Sequence, residues 1–130
     1  MTESDVKKII LDTVNETVLK MKMAGLMKDN RRTSTEKLEE LLRSYPIFKQ
    51  IHDKEDTVKL VRKVEEAMQT IAGDPYYDVI RLFYFEDQTR ESIALEFGCT
   101  ETTISRNKKR LLDRLKTILF SDDVIFELFL

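Results

Sequence analysis

Apolar residues recur along this chain at helical spacing. Val6, Ile9, Ile10, Val14, Val18, Met21 and Met27 fall on one broad face at ~100° per residue, which predicts a helix over about Ser4 to Met27. Leu19, Met23 and Leu26 add a second stripe on the opposite side of its later half. A helix apolar on two sides is held between neighbours or inside an oligomer. Few other elements exist to cover it, so contact with a second copy is favoured over internal burial.

Lys28 to Ser34 is a polar linker. Thr33-Ser-Thr-Glu36 then has capping-box spacing, in which each end satisfies a free backbone donor. Leu38, Leu41, Leu42 and Tyr45 mark a second helix, which Pro46 is expected to interrupt. A third helix is expected from Pro46, carrying Ile47, Phe48 and Ile51, with a break around Asp53 to Asp56. It resumes with Val58, Val61, Val64, Met68 and Ile71 and ends at Gly73. Asp74-Pro75 reads as an N-cap with proline at the first helical position, predicting a fourth helix over about Pro75 to Phe85. The run Val79-Ile-Arg-Leu-Phe-Tyr-Phe85 has strand propensity, but the cap and the helical surroundings decide for helix.

Composition agrees with an all-α chain. Gly and Pro number 3 and 2 among 130 residues, too few to turn many short strands. The charged share of 35% beside a hydrophobic share of 42% suits amphipathic helices and is too apolar for wholesale disorder. Cys99 is the sole cysteine and His52 the sole histidine, which excludes an intrachain disulfide, a C-x-x-C zinc site and a histidine cluster. No apolar run approaches the ~20 residues of a membrane span, and acids early in the chain do not suit a signal or transit peptide. A cytoplasmic protein without cofactor or membrane partner is expected. No nucleophile–base pair, phosphate loop or metal spacing is evident, so no enzymatic activity is expected.

The informative stretch runs from Thr89 to Leu115. Thr89 can cap a short helix that turns Ile93, Ala94 and Phe97 inward. Gly98 stands where a left-handed C-cap residue is wanted. Thr100 can cap the next helix, and Glu101 complements its dipole. The spacing Ala94-x3-Gly98-x5-Ile104 is that of a helix-turn-helix: a small residue lets the helices approach, glycine makes the turn, and a branched apolar residue locks the second helix on the first. With Ile104 at the centre of the buried face, Thr102 and Arg106 lie opposite, flanked by Thr103, Lys109, Arg110 and Asp113, with Ser105 nearer the edge. Early residues of such a second helix meet base edges in the major groove. Glu101, Thr102, Thr103 and Arg106 are the base-reading candidates. Ser105, Lys108, Lys109, Arg110 and Arg114, with Lys116, are the phosphate-binding candidates.

A net charge of −2 argues at first against nucleic acid. Between Arg106 and Lys116, however, six bases stand against one acid, a +5 patch that leaves −7 for the remainder.

The stretch Thr89-Arg-Glu-Ser-Ile-Ala-Leu-Glu-Phe-Gly-Cys-Thr-Glu-Thr-Thr-Ile-Ser-Arg-Asn-Lys-Lys-Arg-Leu-Leu-Asp-Arg-Leu115 resembles region 4 of bacterial sigma-70 factors, and Tyr77 to Phe85 resembles the helix preceding that motif. The longer pattern resembles the ArpU/RinA-like group of phage and prophage transcriptional regulators. It includes Leu41-Leu-Arg-Ser-Tyr-Pro46 and Lys63-Val-Glu-Glu-Ala67, and it covers about 34–130. The resemblance implies sequence-specific binding of double-stranded promoter DNA, control of late phage genes and contact with RNA polymerase. By position it assigns Glu101, Thr102 and Arg106 to bases and Ser105 and Arg110 to backbone. Sigma factors often carry basic residues where Glu101 and Ser105 stand, so the −35 consensus is not implied as the target. No counterpart of a promoter-melting or core-binding region is evident, which implies a regulator rather than a sigma factor.

The expected organisation is an N-terminal helical assembly region over 1–72, through which the chain forms a homo-oligomer, a helix-turn-helix domain over 73–120, and an apolar C-terminal helix over 121–130. That tail either packs back or docks on a partner. Two other readings stay open: an RNA-polymerase-binding adaptor that does not read DNA, and a packaging protein like a phage small terminase. Asp53, Glu55, Asp56, His52 and Cys99 read as solvated or packing residues.

Overall fold

The computed structural model describes residues 33–50 and 55–120, together with the isolated positions Gly25 and Arg31. The expected helix over 4–27 and the apolar helix over 121–130 lie outside the described residues.

Five helices are present among the described residues, and no strand. The first, α1, spans Ser34–Gln50. Thr33 caps it as its spacing predicts: its hydroxyl oxygen accepts from the Glu36 amide at 3.1 Å. The same hydroxyl donates to the Glu36 carboxylate at 3.1 Å, so the glutamate closes the box on the side chain. Leu38, Leu41, Leu42, Tyr45 and Phe48 then bury one continuous face.

Pro46 does not interrupt this helix. It sits inside α1, and the expected new helix starting there is not formed. Proline removes one backbone bond and crowds the preceding turn, at a cost of about 3 kcal/mol. Tyr45 and Phe48, on either side of it, are 9% and 1% exposed. Each is worth roughly 1.5–3 kcal/mol buried. A single helical path keeps both on the core face, and that outweighs the lost bond.

The second helix, α2, spans Glu55–Ile71, beginning where a break was expected around Asp53 to Asp56. Leu60, Val64, Ala67, Met68 and Ile71 face the core. Tyr45 of α1 donates to Glu65 of α2 at 2.7 Å, tying the pair at its edge.

The next helix, α3, starts at Tyr77, two residues beyond the expected Pro75. It is α-helical over Tyr77–Ile80 and continues as a π-helix over Arg81–Phe85. The expected cap, Asp74, turns the chain just upstream: its carboxylate accepts from the Tyr76 amide at 2.9 Å and its carbonyl from the Tyr77 amide at 3.1 Å. The wider π turn, closed by Glu86 N–H on the Arg81 carbonyl, fans side chains to two sides. Ile80 and Tyr84 enter a large core with α1, α2 and the end of the last helix. Val79 and Leu82 enter a small core with Ile93, Ala94 and Ile104. Tyr84 is held by a bond from its hydroxyl to Glu39 at 2.8 Å.

The last two helices are α4, Arg90–Phe97, and α5, Glu101–Leu119. Ile104 belongs to the small core, whereas Leu111, Leu112, Leu115 and Leu119 belong to the large one. One rod of 19 residues therefore spans both cores. The expected boundary between 72 and 73 falls inside the large core, because α1 and α2 bury their apolar faces against α5. Among the described residues no helix is long and apolar enough to cross a membrane.

Candidate nucleic-acid interface

The α4–α5 pair forms the turn that its sequence spacing predicts. Thr89 has extended backbone and accepts from the Ser92 amide at 3.1 Å. Gly98 terminates α4 in the left-handed region at φ 66°, and the Cys99 amide reaches back to the Ala94 carbonyl at 3.1 Å. Thr100 caps α5 by accepting from the Thr103 amide at 3.2 Å. Ile93, Ala94 and Ile104 lock the two helices together beneath the turn. Tyr76 stacks on Phe97 at 5.8 Å between ring centres and braces the end of α4 from outside.

Most of α5's outer surface divides into three stripes. Thr102, Arg106, Lys109 and Asp113 form the outward stripe, and all four are exposed. Among the described residues Arg106 and Lys109 have no hydrogen-bonding or ion-pair partner, so neither cation is spent on this part of the fold. The stripe lies opposite Ile104, as the helical spacing predicts.

One flank is turned toward α2 and the turn after it. Thr103 shares its hydroxyl with Thr100 at 3.0 Å, and its carbonyl accepts from Asn107 Nδ2 at 2.9 Å. Thr103, expected to read bases, thus serves the cap. Arg110, expected on phosphate, forks onto Asp74 with bonds of 2.7 and 2.9 Å and also donates to Asn107 Oδ1. The guanidinium, with the Tyr76 amide, holds the Asp74 carboxyl down to about 2, well below its ordinary value. Arg114 donates to the Thr70 carbonyl at 3.3 Å. Arg110 and Arg114 therefore fasten α5 to the body of the protein.

The other flank carries Glu101, Ser105, Lys108 and Lys116. Lys108, a second expected phosphate ligand, is half-buried with its ammonium 4.0 Å from the centre of the Phe83 ring. Burial pushes its pKa down. It is a cation–π brace between α5 and the π turn. Lys116 pairs with Asp113 at 3.5 Å and approaches the Thr35 hydroxyl at 3.4 Å. Glu101 and Ser105 are both engaged by Arg90, at 3.3 and 3.0 Å.

Arg90, Asp74 and Asn107 were absent from the sequence-derived site. Arg90 and Glu101 carry opposite charges at the first position of their helices, a signal that could have been read. Nothing local flagged Asp74 and Asn107, since the former's partner lies 36 residues away. No family model, curated protein or solved structure matches the chain.

Proposed function

We propose that this chain is a sequence-specific DNA-binding regulator of transcription that reads the major groove with α5. One observation carries the reading: the second helix of a doubly capped helix-turn-helix presents Thr102, Arg106 and Lys109 outward together, with neither cation partnered among the described residues. Arg106 suits the O6/N7 edge of guanine, Thr102 a thymine methyl or base edge, and Lys109 a phosphate. The resemblance to sigma-70 region 4 and to the ArpU/RinA-like regulators supports a promoter as the target, prophage late genes as the regulon and RNA polymerase as a further partner. Assembly through the N-terminal residues remains part of this proposal.

Binding-site selection with the full chain tests it. Arg106→Ala is expected to weaken the selected site by ~1–3 kcal/mol and to relax preference at one position. Unchanged selection removes Arg106 from the readout. Lys109→Ala should weaken binding evenly across sequences and lower the log–log salt slope by ~0.9, one phosphate's worth.

The adaptor reading has one observation in its favour. Leu95, on the outer side of α4, is 78% exposed. An apolar side chain that open suits a protein surface better than a phosphate backbone. Retention of the chain on RNA polymerase without DNA, abolished by Leu95→Glu, would establish that reading. Retardation of a late-promoter fragment but not of a packaging-site fragment would separate a regulator from a small-terminase-like protein.

A further inference from the structure

Arg90 lies outside the helix expected to read DNA, yet its guanidinium reaches across the turn and grips two of that helix's candidate residues. Its Nε donates to Glu101 Oε1 at 3.3 Å, and its Nη1 donates to the Ser105 hydroxyl oxygen at 3.0 Å. Glu101 and Ser105 are four residues apart, one turn of α5, so the fork spans neighbouring positions on one flank. Both charged side chains stay about half exposed, at 54% and 52%.

The donor and acceptor inventory leaves a defined pattern. A carboxylate has two oxygens, and Arg90 uses one; among the described residues Glu101 Oε2 remains open as an acceptor. A serine oxygen that accepts from Arg90 keeps its own proton, so Ser105 remains a donor. The flank therefore presents an acceptor beside a donor, with orientations fixed by one planar group. An unpaired glutamate would repel the phosphates around it, and Arg90 neutralises that charge locally. In the major groove, a C·G pair shows the cytosine N4 donor beside the guanine O6 acceptor, the complement of this pattern.

We propose that Arg90 is a positioning residue for base recognition, holding Glu101 to accept from a cytosine amino group while Ser105 donates to the neighbouring edge. The proposal rests on the DNA-binding reading above. It also accounts for an acid and a serine at positions where the resembled sigma factors often carry bases: the cation comes from α4 instead.

The test is binding-site selection with the full chain and three variants, each first checked for an unchanged melting temperature. The wild-type chain should select cytosine at one position, and Glu101→Ala should lose that preference about tenfold. Arg90→Ala should lose the same preference while the position read by Arg106 stays intact. Arg90→Lys keeps the charge but cannot fork, so it should keep the salt slope and still lose the cytosine preference. Full cytosine preference in Arg90→Ala overturns the proposal. Full preference in Arg90→Lys also overturns it, since charge alone would then suffice. If the unsubstituted chain selects no sequence at all, the DNA-binding reading itself fails and this one falls with it.

Discussion

At the scale of single residues, equal charge does not mean equal role. Arg106, Lys109 and Arg110 stand within five positions of one another, yet among the described residues only Arg110 has a hydrogen-bonding or ion-pair partner. Arg110 spends its fork on Asp74, whose side chain is 12% exposed. The pair makes a pH prediction. The folded Asp74 carboxyl is held at about 2, below its ordinary 3.8. A depressed carboxylate contributes stability above its unfolded pKa, and that contribution is lost as pH falls through the folded one. The contribution should therefore be complete above about pH 4 and disappear toward pH 2. Arg110 is 44% exposed, so solvent screens the pair and about 1–2 kcal/mol is expected. Asp74→Asn should lose that amount at pH 7 in urea denaturation and flatten the acid limb of the stability profile. An acid limb as steep as that of the unsubstituted chain would show that other carboxylates carry it.

At the scale of elements, the helix-turn-helix was legible because each of its signals is local. Thr89, Gly98 and Thr100 act within four residues of themselves, and Ile104 follows from simple spacing. The inward turn of Lys108 and the anchoring of Arg110 were not legible, because Phe83 and Asp74 reach them from other elements. Pro46 misled for the same reason: propensity favours a break there, and burial of Tyr45 and Phe48 on one face overrides it. The π turn at Arg81–Phe85 has no sequence signature that periodicity could have registered. Gly98 tests the turn directly. An added Cβ there meets no atom within 4 Å, so a substitution is opposed by backbone conformation alone. Gly98→Ala should cost about 1–2 kcal/mol, and Gly98→Asn less, because asparagine tolerates the left-handed region. Chemical denaturation of the two variants measures the difference. Equal losses would mean that φ is not what the position demands.

At the scale of the whole molecule, the helix-turn-helix and the body pack as one unit among the described residues. Among the described residues the small core under the turn contains five buried side chains, too few to stand alone. It is completed by α3, which faces both cores, and by α5, which leaves the small core at Ile104 and enters the large one at Leu111. Tyr84, Lys108 and Arg110 add polar or cation–π ties across the same junctions. A helix held along its length presents its outward stripe in fixed register, which the proposed readout requires if Arg106 is to meet a base edge within hydrogen-bond distance. The consequence is cooperative unfolding. Leu115 is fully buried in the large core, on α5 about three turns beyond Ile104. Leu115→Ala should cost ~2–5 kcal/mol through lost burial and a cavity. Because the small core depends on the same helix, it should melt at the same lowered temperature as the large one. Methyl signals of Ile93 and Ile104 report on the first, and those of Ile71 and Leu111 on the second. Coincident midpoints in both the unsubstituted chain and the variant are expected. A helix-turn-helix that keeps its midpoint while the large core melts early would show that it folds independently of the body that carries it.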